Sequence, residues 1–208
     1  MHSIAISERF LKARYDIFSW RYNLASAEKL ALSFAMACAI ALLAQVRIPL
    51  PWTPVPITGS TLGAVFAGVL LGNVWGGVSM LVYLTLGAAG LPVFTGFKGG
   101  TEVLLGPTAG YLLGFVITAF AMGYITDNFA KARKFLPMLM IMLAFNALIL
   151  ALGSLYLGIW VHAVTGRAAG VSEALWMGAI PFIPGDVVKS FAAAAIAGLI
   201  TPKESYKQ

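Results

Sequence analysis

From Leu136 to Val161 the chain runs without one charged side chain, longer than the ~20 residues a helix needs to cross ~30 Å of hydrocarbon. A helix this apolar is most stable with lipid as its solvent, and comparable runs recur along the sequence. Hydropathy places helices at about Lys29 to Val46, Ile57 to Gly72, Val74 to Gly90, Thr108 to Thr126, Leu136 to Val161 and Pro184 to Ile200. Composition agrees. Of the 208 residues 60% are hydrophobic and 11% charged, against roughly 25% charged in an average soluble domain, and mean hydropathy is +0.87. There is too little polar surface to coat a water-soluble globule. The expected fold is an all-α integral membrane protein with six transmembrane helices spanning residues 29–200, an N-terminal segment at 1–28 and a tail at 201–208.

Two of these helices are less sharply bounded. The second is short for a full crossing and follows Pro49, Pro51, Pro54 and Pro56, which leave its outer end irregular. The third begins at the tight, uncharged turn Gly72-Asn73-Val74-Trp75-Gly76-Gly77. Five or seven spans are the alternatives. At the N-terminus, Phe10, Leu11, Tyr15, Ile17, Phe18 and Trp20 alternate with Arg9, Lys12, Arg14 and Arg21. That pattern suits either an amphipathic helix on the membrane surface or a solvated tail. It lacks the features of a cleaved secretory signal.

Cytoplasmic segments of a membrane protein carry the excess of lysine and arginine. With the N-terminus inside, Arg9, Lys12, Arg14, Arg21 and Lys29 fall on the inner side, with Lys131, Arg133, Lys134, Lys203 and Lys207. The outer side keeps Arg47, Lys98 and Arg167. Both termini are therefore expected in the cytoplasm of a bacterial inner membrane. The net charge of +6 is a topology signal on this reading, not a nucleic-acid footprint. The long links, at Arg47 to Pro56, Leu91 to Pro107 and His162 to Pro184, all lie outside. Because long structured loops tend to carry function, a binding site is expected to open outward.

Asp186 and Lys189 carry the strongest chemical signal. Three residues apart at the start of the last span, they share a helix face. Ionised groups within a span cost ~2.5 to 3.5 kcal/mol each on insertion scales, so they face a cavity or a partner. Either the two neutralise each other or they hold a polar ligand. The Gly90–Gly100 segment, with Phe94, Thr95 and Lys98, offers pliant backbone and an aromatic surface that could close over a small molecule. Thr108 and Tyr111 follow it. It is not a phosphate cradle, since no Walker-type or dinucleotide glycine spacing is present.

Asn146, inside the fifth span, needs a hydrogen-bond partner at membrane depth and is a candidate ligand-binding residue. Trp160 is placed either in the cavity or in an interfacial aromatic belt. His162 is expected at the surface without a catalytic role. Cys38, the single cysteine, is expected to pack within its helix and excludes a disulfide framework. No carboxylate pair, metal-ligand cluster, nucleophile–base arrangement or nucleotide-binding motif stands in the sequence. The expected protein is not an enzyme and needs no cofactor. Ala31, Ala35 and Ala39 recur every four residues along the first span, where small side chains let another helix approach closely, from this chain or from a partner.

Four stretches in order resemble the BioY family, the biotin-specific S components of energy-coupling factor transporters. They are Pro49 to Thr58, Leu84 to Phe94, Leu104 to Tyr111 and Pro184-Gly185-Asp186-x-x-Lys189, within a match from about Lys29 to Ile200. The resemblance implies six helices, cytoplasmic termini and a biotin pocket near the outer surface. It further implies docking through the Ala31, Ala35 and Ala39 face onto a transmembrane coupling protein that works with two ATP-hydrolysing subunits. Homo-oligomer formation stays open. Asp186 would accept a ureido N–H, and Lys189 would donate to a carbonyl or to the carboxylate. Lys98 is the alternative for the carboxylate and would leave Lys189 to the ureido oxygen, and Phe94, Tyr111 and Trp160 would enclose the ring. An S component for another vitamin and a proton-coupled secondary carrier are the competing readings.

Overall fold

The structure, a computed structural model, describes residues 2–167 and 170–203, and side chains at residue 9 and from residue 11 onward within those ranges. The expected tail from residue 204, with Lys207, and the Phe10 side chain lie outside the described residues.

All six predicted runs are helical: α2 (Ser26–Gln45), α3 (Ser60–Leu71), α4 (Asn73–Ala88), α6 (Ala109–Asn128), α7 (Phe135–Thr165) and α9 (Ile183–Ile200). By length and composition, α2, α6, α7 and the stretch Val171–Ile200 are long and apolar enough to cross a membrane, whereas α3 and α4 are shorter apolar helices. Outside these six runs, the described residues form three further α-helices, α1 (His2–Asn23), α5 (Thr101–Leu104) and α8 (Val171–Gly178). α8 continues through a 3₁₀ turn, Ile180–Phe182, into α9, so the weakly apolar stretch before Pro184 is a bent helical entry to the last helix.

α6 sits at the centre and packs against α3, α4 and α7. The interior divides into two apolar clusters. One, with Val69, Met122, Met138, Met142 and Ala194, fills the end of the bundle nearer the termini. The other, with Ile40, Tyr83, Phe94, Tyr111, Phe115, Ile149 and Phe182, surrounds the opposite end. Long side chains on many outward faces stay exposed, among them Phe34, Leu42, Leu155 and Ile159, as expected of a chain whose outer solvent is hydrocarbon.

The N-terminal stretch is helical, as one of its two readings requires. α1 has Ile17 and Trp20 exposed, while Phe18 and Arg21 are buried. Arg21 pairs with Asp127 at the end of α6 at 2.7 Å and donates to the Leu70 carbonyl oxygen at 2.6 Å. Arg133 is also buried, donating to the carbonyl oxygens of Thr126, Pro202 and Asp127. Basic residues that the sequence marks as topology signals are thus partly structural, capping otherwise unsatisfied helix carbonyls. Cys38, expected to pack inside, is instead exposed on α2.

Candidate ligand-binding site

The proline-rich segment after α2 cannot form a helix, because each proline removes a backbone donor and fixes φ. It is closed at its base by two short antiparallel strands, β1 (Arg47–Ile48) and β2 (Ile57–Thr58), pairing Arg47 with Thr58 and Ile48 with Ile57. The Leu91–Gly100 segment folds back on itself, with Phe94 N–H donating to the Lys98 carbonyl oxygen at 2.9 Å. Gln45, the last residue of α2, latches it. Its amide nitrogen donates to the Phe94 carbonyl oxygen at 3.1 Å, and its oxygen accepts the N–H groups of Gly96 and Phe97 at 3.1 and 3.0 Å.

Between these two segments, the middle of α7 and the ends of α3, α4, α6 and α9 lies a cavity of about 570 Å³. That is within the ~300–1,000 Å³ of ordinary small-molecule sites. Aromatic and aliphatic walls come from Tyr83, Phe94, Tyr111, Phe115, Ile149 and Phe182. The Phe94 ring stands edge-on to Tyr83 at 5.3 Å, and this close approach requires Gly87, where any Cβ would collide with the Phe94 ring. Tyr111 is fixed by donating its hydroxyl to the Gly178 carbonyl oxygen at 2.5 Å.

Asp186 and Lys189 both line this cavity. The Lys189 ammonium is 2.6 Å from Asp186 Oδ1 and donates to the Thr58 carbonyl oxygen and Thr61 Oγ1, each at 3.0 Å. Its three protons therefore have three acceptors. The Asp186 carboxylate, 6% exposed, has further acceptor capacity beyond the ion pair. Nearer the loops, the wall carries Arg47, Lys98 and Glu102, all exposed. Gly96, at φ +78°, lies against Arg47: a Cβ there would meet Nη1 at 2.5 Å.

Seven of the sequence-predicted residues meet at this cavity: Asp186, Lys189, Lys98, Phe94, Thr95, Thr108 and Tyr111. Two do not. Asn146 donates to Ser190 Oγ at 2.7 Å, beneath the pair and away from the cavity wall, and the Ser190 hydroxyl in turn donates to the Asp186 carbonyl oxygen at 2.7 Å. It supports the turn that carries Asp186. Trp160 packs half-buried against the apolar cluster. His162 is exposed. Ala31 and Ala35 are exposed and Ala39 half-buried, whereas Ala37 and Ala44 on the adjacent stripe are buried within the bundle.

Sequence reasoning gives no ligand role to Arg47, Tyr83, Glu102, Ser60 or Thr61, all of which line the cavity. Ser60 and Thr61 fall where Gly59-Ser60-Thr61 departs from the pattern expected of the family, and Arg47 reads as one more loop charge. For all but Tyr83, which lies mid-helix, the signal that could find them is positional, since each sits at the loop-facing end of a predicted helix or in an outer link.

The family model for BioY matches residues 17–205. The chain belongs to the BioY family. A protein of Methanothermobacter thermautotrophicus called a probable biotin transporter BioY is 50% identical over 141 residues, 67% of this chain and 90% of that protein. The biotin transporter BioY of Rhizobium etli is 36% identical over 166 residues, 80% of this chain and 87% of its own length. Among solved structures, the S-component for biotin from an ECF-type ABC transporter superposes with a TM-score of 0.74 at 28% identity, covering 84% of this chain and 93% of that one. As a member of the BioY family the chain is a multi-pass membrane protein of a transport family.

Proposed function

We propose that this chain is the biotin-binding membrane subunit of an ECF-type uptake system, crossing the bilayer six times with both termini in the cytoplasm and its cavity open to the outer face. The observation that carries the biotin assignment is the Asp186–Lys189 pair set in an aromatic cavity of about 570 Å³. Family membership and the names of the relatives support it, and the distribution of lysine and arginine supports the orientation.

Biotin presents a ureido group with two N–H donors and one carbonyl acceptor, an apolar thioether ring and a carboxylate on a flexible chain. On this reading Asp186 accepts a ureido N–H through the lone pairs that Lys189 leaves free. Lys189 reaches the ureido oxygen by exchanging Thr61 Oγ1, the weakest of its three acceptors, for the ligand. Tyr83, Phe94, Tyr111 and Phe115 enclose the ring, with Thr95 and Thr108 at its edge, and Arg47 and Lys98 take the carboxylate at the mouth. Energy comes from a transmembrane coupling protein, docked on the Ala31, Ala35 and Ala39 face, and from two ATP-hydrolysing subunits.

Calorimetric titration of biotin into the detergent-solubilised protein tests the assignment. Tight binding, lost in a folded Asp186→Asn variant, is the expected result. Absence of binding by a folded parent protein would overturn it. Stabilisation by a different vitamin, or biotin-independent proton movement in vesicles, would then select between another S component and a proton-coupled carrier.

A further inference from the structure

At the end of the bundle nearer the termini, remote from the ligand cavity, a second recess of about 260 Å³ lies between α1 and the chain just after α9. Its wall residues are Leu11, Lys12, Arg14, Tyr15, Pro202 and Lys203. Three cations and a phenol share one small volume, and among the described residues of its wall there is no carboxylate.

The donors there are under-used. Arg14 makes one long bond, from Nη1 to the Leu199 carbonyl oxygen at 3.4 Å, and its Nε is buried with no partner among the described residues. Lys203 is pinned by donating to the carbonyl oxygens of Arg133 and Gly198, each at 2.8 Å. Burial holds its ammonium below the ordinary lysine range, and the charges of Arg14, Lys134 and Arg133 push it the same way. Like charges gathered with unsatisfied donors are costly, and an anion with several acceptor oxygens offsets that cost. A phosphate group has that chemistry. Arginine offers it a planar fork and the lysines add point charges.

Two features favour a lipid over a soluble phosphate. Leu11, on the recess wall, and Leu199, which receives the Arg14 bond, are 47% and 62% exposed, so apolar surface adjoins the cations. The recess also lies beside the end of an apolar helix, where a phospholipid places its head group.

We propose that this recess binds the phosphate of an anionic phospholipid, with Lys12, Arg14 and Lys203 on the head group and the acyl chains along Leu11 and Leu199. Such a lipid joins α1 to the end of α9, so it stabilises the folded protein.

The test is thermal unfolding of the full chain in neutral detergent, titrated separately with short-chain phosphatidylglycerol, phosphatidylcholine and inorganic phosphate. Phosphatidylglycerol should raise the midpoint saturably, and the other two should not at equal concentration. Lys12→Gln and Arg14→Gln should each raise the half-saturating concentration roughly fivefold, the size expected for one basic residue at an anionic head group. Lys131→Gln, an exposed basic residue outside the recess, should change it less than about twofold. An equal response to phosphatidylcholine, or an equal loss in Lys131→Gln, would overturn the site. A response to inorganic phosphate matching that to phosphatidylglycerol would overturn the lipid as its occupant. Biotin titration of Lys12→Gln, expected unchanged, separates this result from the proposed transport function.

Discussion

The Lys189 ammonium lies 2.6 Å from the Asp186 carboxylate one helical turn away, and Thr58 and Thr61 from the other side of the cavity accept its two remaining protons. α9 is thereby tied to the start of α3 through one charged group. Asp186→Asn keeps the shape and removes the countercharge. Breaking the pair leaves Lys189 uncompensated and lowers stability, while the charge-assisted bond to the ureido N–H is worth ~1.5–3 kcal/mol, so biotin affinity should fall roughly 10- to 150-fold. Calorimetry on the folded variant checks this, and unchanged affinity would remove Asp186 from the proposed site. Adding Lys189→Met to Asp186→Asn should recover part of the lost thermal stability, because no uncompensated charge then remains.

Gln45 holds the Leu91–Gly100 segment through three hydrogen bonds to its backbone, and that segment carries Phe94, Thr95 and Lys98. Gln45→Leu preserves bulk and deletes the latch. With each bond worth ~1 kcal/mol net, the dissociation rate of biotin should rise about tenfold or more, and amide exchange over residues 91–100 should speed up by as much as roughly 100-fold. Stopped-flow displacement and hydrogen exchange over residues 91–100 report the two quantities. An unchanged off-rate would mean that the segment is held by other contacts.

The helices were legible because lipid exposure demands long apolar runs, a demand written in composition along the chain. Asp186 and Lys189 stood out for the same reason, being ionised groups where apolar ones are expected. α1 and α8 are less visible: α1 alternates apolar and charged side chains without a clean stripe, and α8 is interrupted from α9 by the Ala179–Phe182 turn. Arg47 and Glu102 were missed because an outer-loop charge looks the same whether it faces water or a cavity. The need of Asn146 for a partner is legible in the sequence, whereas the choice between a ligand and Ser190 on the neighbouring helix is not.

Ala31 and Ala35 are exposed on α2 beside the exposed Leu30 and Phe34, while Ala37 and Ala44 already pack the interior. A bulky residue at position 35 therefore meets whatever docks outside the bundle and not the cavity. Ala35→Trp should leave biotin binding by the isolated subunit unchanged. Uptake by cells supplying the coupling module should drop roughly tenfold or more, since forcing a large side chain into a packed contact costs ~1–3 kcal/mol. Equal uptake by variant and parent would exclude this face from coupling.

Arg21 and Asp127 form an enclosed ion pair at the end of the bundle nearer the termini, each side chain 9% exposed, and Asp127 also accepts the Asn73 N–H at 3.1 Å where α4 begins. One carboxylate thus joins α1, α4 and α6. The Arg167–Glu173 pair offers a contrast, with the arginine 70% and the glutamate 37% exposed. Breaking a buried pair costs ~3–5 kcal/mol because the remaining charge is left in a poor solvent, whereas exposed pairs contribute ~0–1 kcal/mol after screening. Asp127→Asn should therefore lower the unfolding midpoint by roughly 6 to 12 °C or more, and Glu173→Gln by no more than about 2 to 4 °C. Biotin affinity, measured well below either transition, should be the same in both variants, since neither residue lines the ligand cavity. Thermal scans of the two variants beside the parent decide the matter: equal shifts would mean that burial at the end of α6 does not govern how strongly the chain depends on its charges.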